Sequence, residues 1–141
     1  MKIKIKKLHP DAVIPTYAHI GDAGMDLTAC QILSNTTFQV IYDVGLAVEI
    51  PEGYVGLIFP RSSIRKYELT LSNSCGIIDS NFRGCIQATF NKTNGLDSLK
   101  YKIGERIAQL IILPFPQIEF EEVTELSETI RGTGGFGSSG R

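Results

Sequence analysis

Soft metal-binding and nucleophilic chemistry is scarce in this chain. Its three cysteines, Cys30, Cys75 and Cys85, are odd in number and contain no C-x-x-C pair. That excludes a disulfide framework readable from spacing and leaves neutral free thiols in a reducing compartment as the expectation. The two histidines, His9 and His19, flank early loops, make no metal-ligand pattern with the cysteines, and give no thiol an activating base. Excess charge is lacking as well. Fourteen Lys and Arg against 15 Asp and Glu leave a net charge of −1, which speaks against a broad nucleic-acid face. No apolar run reaches membrane-spanning length and no leader pattern opens the chain, so a cytoplasmic location is expected. There is no internal repeat, no second domain, and no linker apart from a glycine-rich C-terminal stretch. Helix signals are nearly absent: only Ser62 to Tyr67 is able to make a short helix, with Ser62 or Ser63 as its cap.

What remains is ample for one folded domain. Of 141 residues, 43% are hydrophobic, enough to bury a core without metals or disulfides. Runs with period 2 or β-branched residues predict strands at Lys2–Lys7, Met25–Ala29, Phe38–Tyr42, Leu46–Ile50, Val55–Phe59, Glu68–Leu71, Cys85–Phe90, Ile107–Leu113 and Ile118–Val123. Turn signals at Pro51–Gly53, Asn73–Gly76, Asn91–Gly95 and around Pro114 and Pro116 separate them. Lys2, Lys4, Lys6 and Lys7 read as a solvated face protecting a sheet edge rather than a phosphate patch. The expectation is an all-β barrel or sandwich-like body over residues 1–126, with 127–141 as a mobile tail.

That tail ends in RGTGGFGSSGR, Arg131 to Arg141. Five glycines, two serines, a threonine, two arginines and one phenylalanine cannot bury a core. The composition nevertheless suits a triphosphate, because glycines admit anionic oxygens to the backbone N–H groups, hydroxyls donate, and arginine offers a planar fork. Phe136 is placed to stack on a flat base. An ordinary Gly/Ser terminus is the alternative.

Four further patterns punctuate the strands. AGMDLTA, Ala23 to Ala29, sets Asp26 at a strand start, where a carboxylate most simply satisfies local backbone. PRSSI, Pro60 to Ile64, puts Arg61 and two hydroxyls at a strand-to-helix junction, a phosphate cradle or a plain cap. GIIDSNFRG, Gly76 to Gly84, reads as two strands joined by a polar turn, a β-hairpin whose backbone can meet a pyrimidine edge. Asp79, behind two isoleucines, is there a candidate general base through partial desolvation, or a turn residue bonding its own backbone. GERIAQLII, Gly104 to Ile112, places Gln109 inside an apolar strand, as a satisfied core amide or a ligand donor.

The five patterns occur in the order and at the separations found in the trimeric dUTPases, the dUTP pyrophosphatases, and the chain resembles that family from Lys2 through Gly140. The resemblance implies a dUTPase-like β-clip or jelly-roll-type barrel with one short helix and a glycine-rich C-terminal lid. It also implies hydrolysis of dUTP to dUMP and pyrophosphate, keeping uracil out of DNA and supplying dUMP for dTMP synthesis. Mg²⁺ would ride on the triphosphate and water, with no direct protein ligand. A homotrimer is implied, its sites shared between subunits, with no direct nucleic-acid or membrane partner. Carried onto this chain, Asp79 would be the base that deprotonates the attacking water. Asn73 and the backbone of Gly76, Ile77 and Ile78 would read uracil, and Phe82 would pack on the deoxyribose. Arg61, Ser62, Ser63 and Gln109 would hold phosphates. Asp26 would position site groups or metal-bound water. Phe136 would stack over uracil while Arg131, Gly135, Ser138 and Ser139 close on the phosphates.

Two departures accompany the resemblance. The third motif has Asn81 and Phe82 where the family has Asp and Tyr, and Ser63 replaces the glycine of PRSG. Ser63 also brings Arg61-Ser62-Ser63-Ile64-Arg65 close to the RSS-x-x-R pattern of the related dCTP deaminases. Thr89, however, lies where their catalytic Glu falls, so deamination has no proton shuttle. A regulatory binding protein on the same scaffold is the rival from another class; the short Asn91–Ile103 connection leaves no room for an inserted partner domain.

Overall fold

A computed structural model describes residues 1–135 together with Gly137 and Ser138. Among these described residues ten strands form: β1 (Lys4–Lys7), β2 (Met25–Thr28), β3 (Gln31–Asn35), β4 (Gln39–Asp43), β5 (Leu46–Glu49), β6 (Tyr54–Pro60), β7 (Leu69–Leu71), β8 (Gly76–Ile78), β9 (Gln87–Lys92) and β10 (Arg106–Pro114). They build a four-stranded sheet ordered β2-β10-β6-β8, a second ordered β3-β4-β9-β7, and a two-stranded β1-β5 pair. Every ladder is antiparallel. The architecture is jelly-roll-like, with its sheets not closed into a barrel. Among the described residues the helices are short 3-10 turns, and none is long and apolar enough to cross a membrane.

Alternation drives this arrangement. In β7, β8 and β9 every second residue is buried, and the inward residues of both large sheets and of β5 join one core. Leu27, Val40, Tyr42, Leu46, Ile58, Phe90, Ile107 and Leu110 are among its members. Burial of this kind contributes roughly 25 cal/mol per Å² of apolar surface. At the centre, the Tyr42 ring meets Phe90 and Tyr101 edge-on, with centroids 5.9 and 6.4 Å apart.

Three expectations are corrected. The segment 118–123 is not a strand: among the described residues it pairs with nothing, and Phe120 is 92% exposed. Its alternating apolar and glutamate residues have a strand's pattern, but no partner edge is offered within one copy. Ser62–Lys66 is a 3-10 turn, with Arg61 as its N-terminal flank and no side-chain cap; neither serine caps it. Gly76–Gly84 is not a hairpin, because β8 pairs with β6 while β9 pairs with β4 and β7. The segment crosses between sheets through a turn closed by the Phe82 N–H on the Asp79 carbonyl. Gln31–Asn35 is a strand that the patterning did not signal; its Ser and Asn residues mask a ladder with β4 that carries an irregularity between Ile32 and Ser34.

Candidate active site

The densest polar cluster of the described residues sits on the outer face of the β2-β10-β6 sheet. Asp26, on β2, accepts from Arg61 Nε at 2.6 Å and Nη2 at 3.3 Å, and from Arg106 Nη1 at 3.0 Å. Its carboxylate is therefore engaged by two side-chain cations, not by local backbone. The Asp26 and Arg61 side chains are only 21% and 23% exposed, so their bidentate pairing is largely out of solvent. Arg61 Nη1 also donates to Ser63 Oγ at 3.2 Å. These bonds leave an N–H on each terminal guanidinium nitrogen free for an anion.

Gln109 stands opposite Asp26 on one side and Phe59 on the other. Its Nε2 donates to the Pro60 carbonyl at 3.1 Å, which fixes the strand end that delivers Arg61. Gly24 packs closely against it: a Cβ at that position would lie 2.8 Å from Gln109 Oε1 and would displace the amide. Gln109 thus serves as a satisfied amide that also borders the cluster. Ser62 is exposed beside it.

Arg106 was not among the residues singled out in the sequence, and the reason is geometric. In a regular strand, residues three apart face opposite sides. The β10 ladder with β2 shifts register between Arg106 and Ala108, so Ile107 and Ala108 both turn inward and are fully buried. This bulge returns Arg106 to the face of Gln109. The Glu105-Arg106 pair at a strand entry was the only available signal.

The third motif lies elsewhere. β8 is the outer strand of its sheet, paired on one side with β6, so along Gly76–Ile78 the backbone groups of alternate residues face an edge with no strand partner. Asn73 precedes it in a tight turn where Ser74 adopts φ 58°. Phe82 packs its ring over Gly84, where a Cβ would come 2.5 Å from the ring. Asp79 follows β8 and is exposed; the desolvation expected of it is absent in a single copy. Ile78 pairs with Gly56 in an antiparallel register, which puts Asp79 at the β6 end opposite Pro60. Asp79 then falls opposite Val55, and at the rise of a strand it is separated from Arg61 by roughly 20 Å. One copy does not bring them together.

The chain beyond β10 leaves from this far end, where Phe115 N–H donates to the Gly53 carbonyl. Arg131 Nε donates to the Gly134 carbonyl at 2.8 Å, and the Ser138 N–H donates to the Gly135 carbonyl. Among the described residues these tail bonds are local and none reaches the Asp26 cluster. Phe136 and Ser139 lie outside the described residues. Thr89 sits within β9 opposite Ile41, in the other large sheet. Among the described residues, no group of three or more His, Cys, Asp or Glu gathers around a common point.

The dUTPase family model matches residues 11–140. The chain is 41% identical over 143 residues to the deoxyuridine 5'-triphosphate nucleotidohydrolase of Picosynechococcus, covering 99% of each chain. It is 42% identical over 150 residues to the enzyme of that name from Escherichia phage T5, covering 98% of each. Its fold is similar to that of the Staphylococcus bacteriophage 80alpha dUTPase solved with dUPNHPP. The TM-score is 0.88 at 29% identity, over 99% of both chains.

Proposed function

The chain belongs to the dUTPase family, and from that premise we propose that it hydrolyses dUTP to dUMP and pyrophosphate, with Asp79 as the base. The observation that carries this reading is the Asp26–Arg61–Ser63 cluster beside Gln109, a preorganised anion site at a strand end. The outer edge of β8 supports the second half, since its unpaired backbone suits a uracil edge. Phe82, held against Gly84, offers its face to the sugar.

In the reaction, a water oxygen forms a bond to the α-phosphorus as the bond to the bridging α–β oxygen breaks. Pyrophosphate leaves, and Asp79 takes the proton of the water. Arg61, Ser62, Ser63 and Gln109 hold and orient the phosphates. Because Asp26 is engaged by two arginines, it acts through Arg61 and through ordered water. That donor set fits a metal carried by the substrate: Mg²⁺, when bound through triphosphate and water, neutralises charge developing on the phosphates. Arg131, Gly135, Phe136, Ser138 and Ser139 complete the site as a lid that excludes bulk water.

The separation of Asp79 from Arg61 supports a site shared between copies, because a base must lie within hydrogen-bond reach, or one water, of the reacting phosphate. Exposed Ile118, Phe120, Val123 and Leu126 along the departing arm, and an apolar groove lined by Ile3, Ile5, Ile14, Met25 and Ile112, support the association. The homotrimer implied by the family supplies the number of copies, and the cytoplasm is the proposed compartment.

The test is product analysis by ion-exchange chromatography after separate incubation with dUTP, dCTP, dTTP and UTP in the presence of Mg²⁺. Selective formation of dUMP and pyrophosphate from dUTP is expected. Ammonia release from dCTP would overturn the reading of Thr89, and no turnover at all would favour the regulatory binding protein.

A further inference from the structure

Arg106 belongs to the polar cluster, yet the proposed reaction leaves it without a task. It stands opposite Thr28 on β2, and Asp26, two residues before Thr28, lies on the same face of that strand. The register shift after Arg106 turns its side chain onto this face, and such a bulge is a built feature that re-aims a side chain. From there Arg106 Nη1 donates to Asp26 Oδ2 at 3.0 Å, while the side chain stays 56% exposed.

The two oxygens of Asp26 are used unequally. Oδ1 accepts from Arg61 Nε at 2.6 Å, whereas Oδ2 accepts from Arg106 Nη1 at 3.0 Å and from Arg61 Nη2 at only 3.3 Å. Arg106 is the nearer donor on Oδ2, and Arg61 Nη2 is held loosely. The charge balance agrees. A carboxylate and one guanidinium, paired at 2.6 Å and largely out of solvent, form a neutral unit with little attraction for a polyanion. The second guanidinium leaves the hydrogen-bonded trio one positive charge in excess. Resting on the assignment of Arg61 to the substrate phosphates, we propose that Arg106 is a positioning residue of that site. It takes up the charge of Asp26, so that Arg61 keeps its own charge and its Nη2 arm for a phosphate oxygen. Ser63 Oγ, which accepts from Nη1 at 3.2 Å, steadies the other arm of the fork.

The experiment compares wild type, Arg106→Gln, Arg106→Lys, Asp26→Asn and the double variant Asp26→Asn/Arg106→Gln. It reads kcat and KM for dUTP, melting, and the calorimetric Kd of a non-hydrolysable α,β-imido analogue with Mg²⁺ across a salt series. Arg106→Gln should raise KM and the analogue Kd roughly tenfold at low salt, with kcat falling less. The gap from wild type should narrow as salt screens the site. Arg106→Lys keeps the charge and should keep the wild-type salt slope. Because Arg106 acts through Asp26, Arg106→Gln should cost less affinity in the Asp26→Asn background than in wild type. An arginine that only braces the strands predicts lower melting, with affinity and salt slope unmoved. Wild-type affinity in Arg106→Gln, a lost salt slope in Arg106→Lys, or an equal cost in both backgrounds overturns the proposal. A wild type that binds no analogue overturns the phosphate site and this role together. Absence of turnover in a wild type that still binds the analogue would reject the proposed reaction instead, and the affinities would still decide the role of Arg106.

Discussion

Asp79 is exposed at the end of an edge strand, and its proposed task needs only the carboxylate charge, placed by a neighbouring copy. Replacing it with Asn retains shape and removes the base. Turnover of Asp79→Asn is expected to fall by at least about 10²-fold, the lower bound for a lost general base, while the Kd of the imido analogue changes little. Wild-type kcat in a stopped-flow or product assay would reject the base. Phe82 makes a second residue-scale case. Phe82→Ala should raise activity on UTP relative to dUTP, because the ring proposed to exclude a 2′-hydroxyl is gone. Gly84→Ala should move the same ratio in the same direction without touching Phe82, since the added Cβ would sit 2.5 Å from the ring. An unchanged UTP to dUTP ratio in both variants removes Phe82 from sugar selection. Asp26 and Gln109 show how far single residues were legible: both were marked by polarity inside apolar strands. The second arginine on Asp26, Arg106, was not, since a bulge leaves no periodic trace.

Among the elements, strand positions were readable where burial alternates, as in β7 and β9. They failed where pattern and partner separate. The segment 118–123 alternates correctly yet finds no edge in its own copy, because a strand is defined by its neighbour as much as by its residues. The glycine-rich tail is the element with the clearest proposed task. Deleting residues 131–141 should lower kcat/KM on the order of a hundredfold, the cost of losing closure and positioning. Melting of the body should stay largely unchanged, because the described part of this segment bonds only within itself and to Thr129 just before it. Full activity in the truncated protein would end the lid reading.

For the molecule as a whole, pH exposes how the core holds its weak acids. Burial is the first cause raising Cys30, Cys85, Tyr42, Tyr67 and Tyr101 above their ordinary values. Cys85 is pushed from 9.0 to about 11 by burial and then by its hydrogen bond to Asp43. A group whose folded pKa is raised contributes stability that is complete below the unfolded value and lost as pH rises through the folded one. The melting temperature is therefore expected to hold to near pH 9 and to fall between about 9 and 11. Cys85→Ser, which does not titrate there, should show a shallower fall. Parallel alkaline curves for the two proteins would show that Cys85 contributes nothing to the transition.

By itself, the sequence determined the all-β class, most strand positions and the polar residue types that mark the motifs, because alternation and turn chemistry are local properties of the chain. Tertiary structure alone decided which of those residues meet. A bulge at Ile107 turned Arg106 onto the Asp26 face, and the β6–β8 register carried Asp79 away from Arg61. Register and bulges depend on pairing between segments distant in the chain, and that information lies in no single stretch of residues.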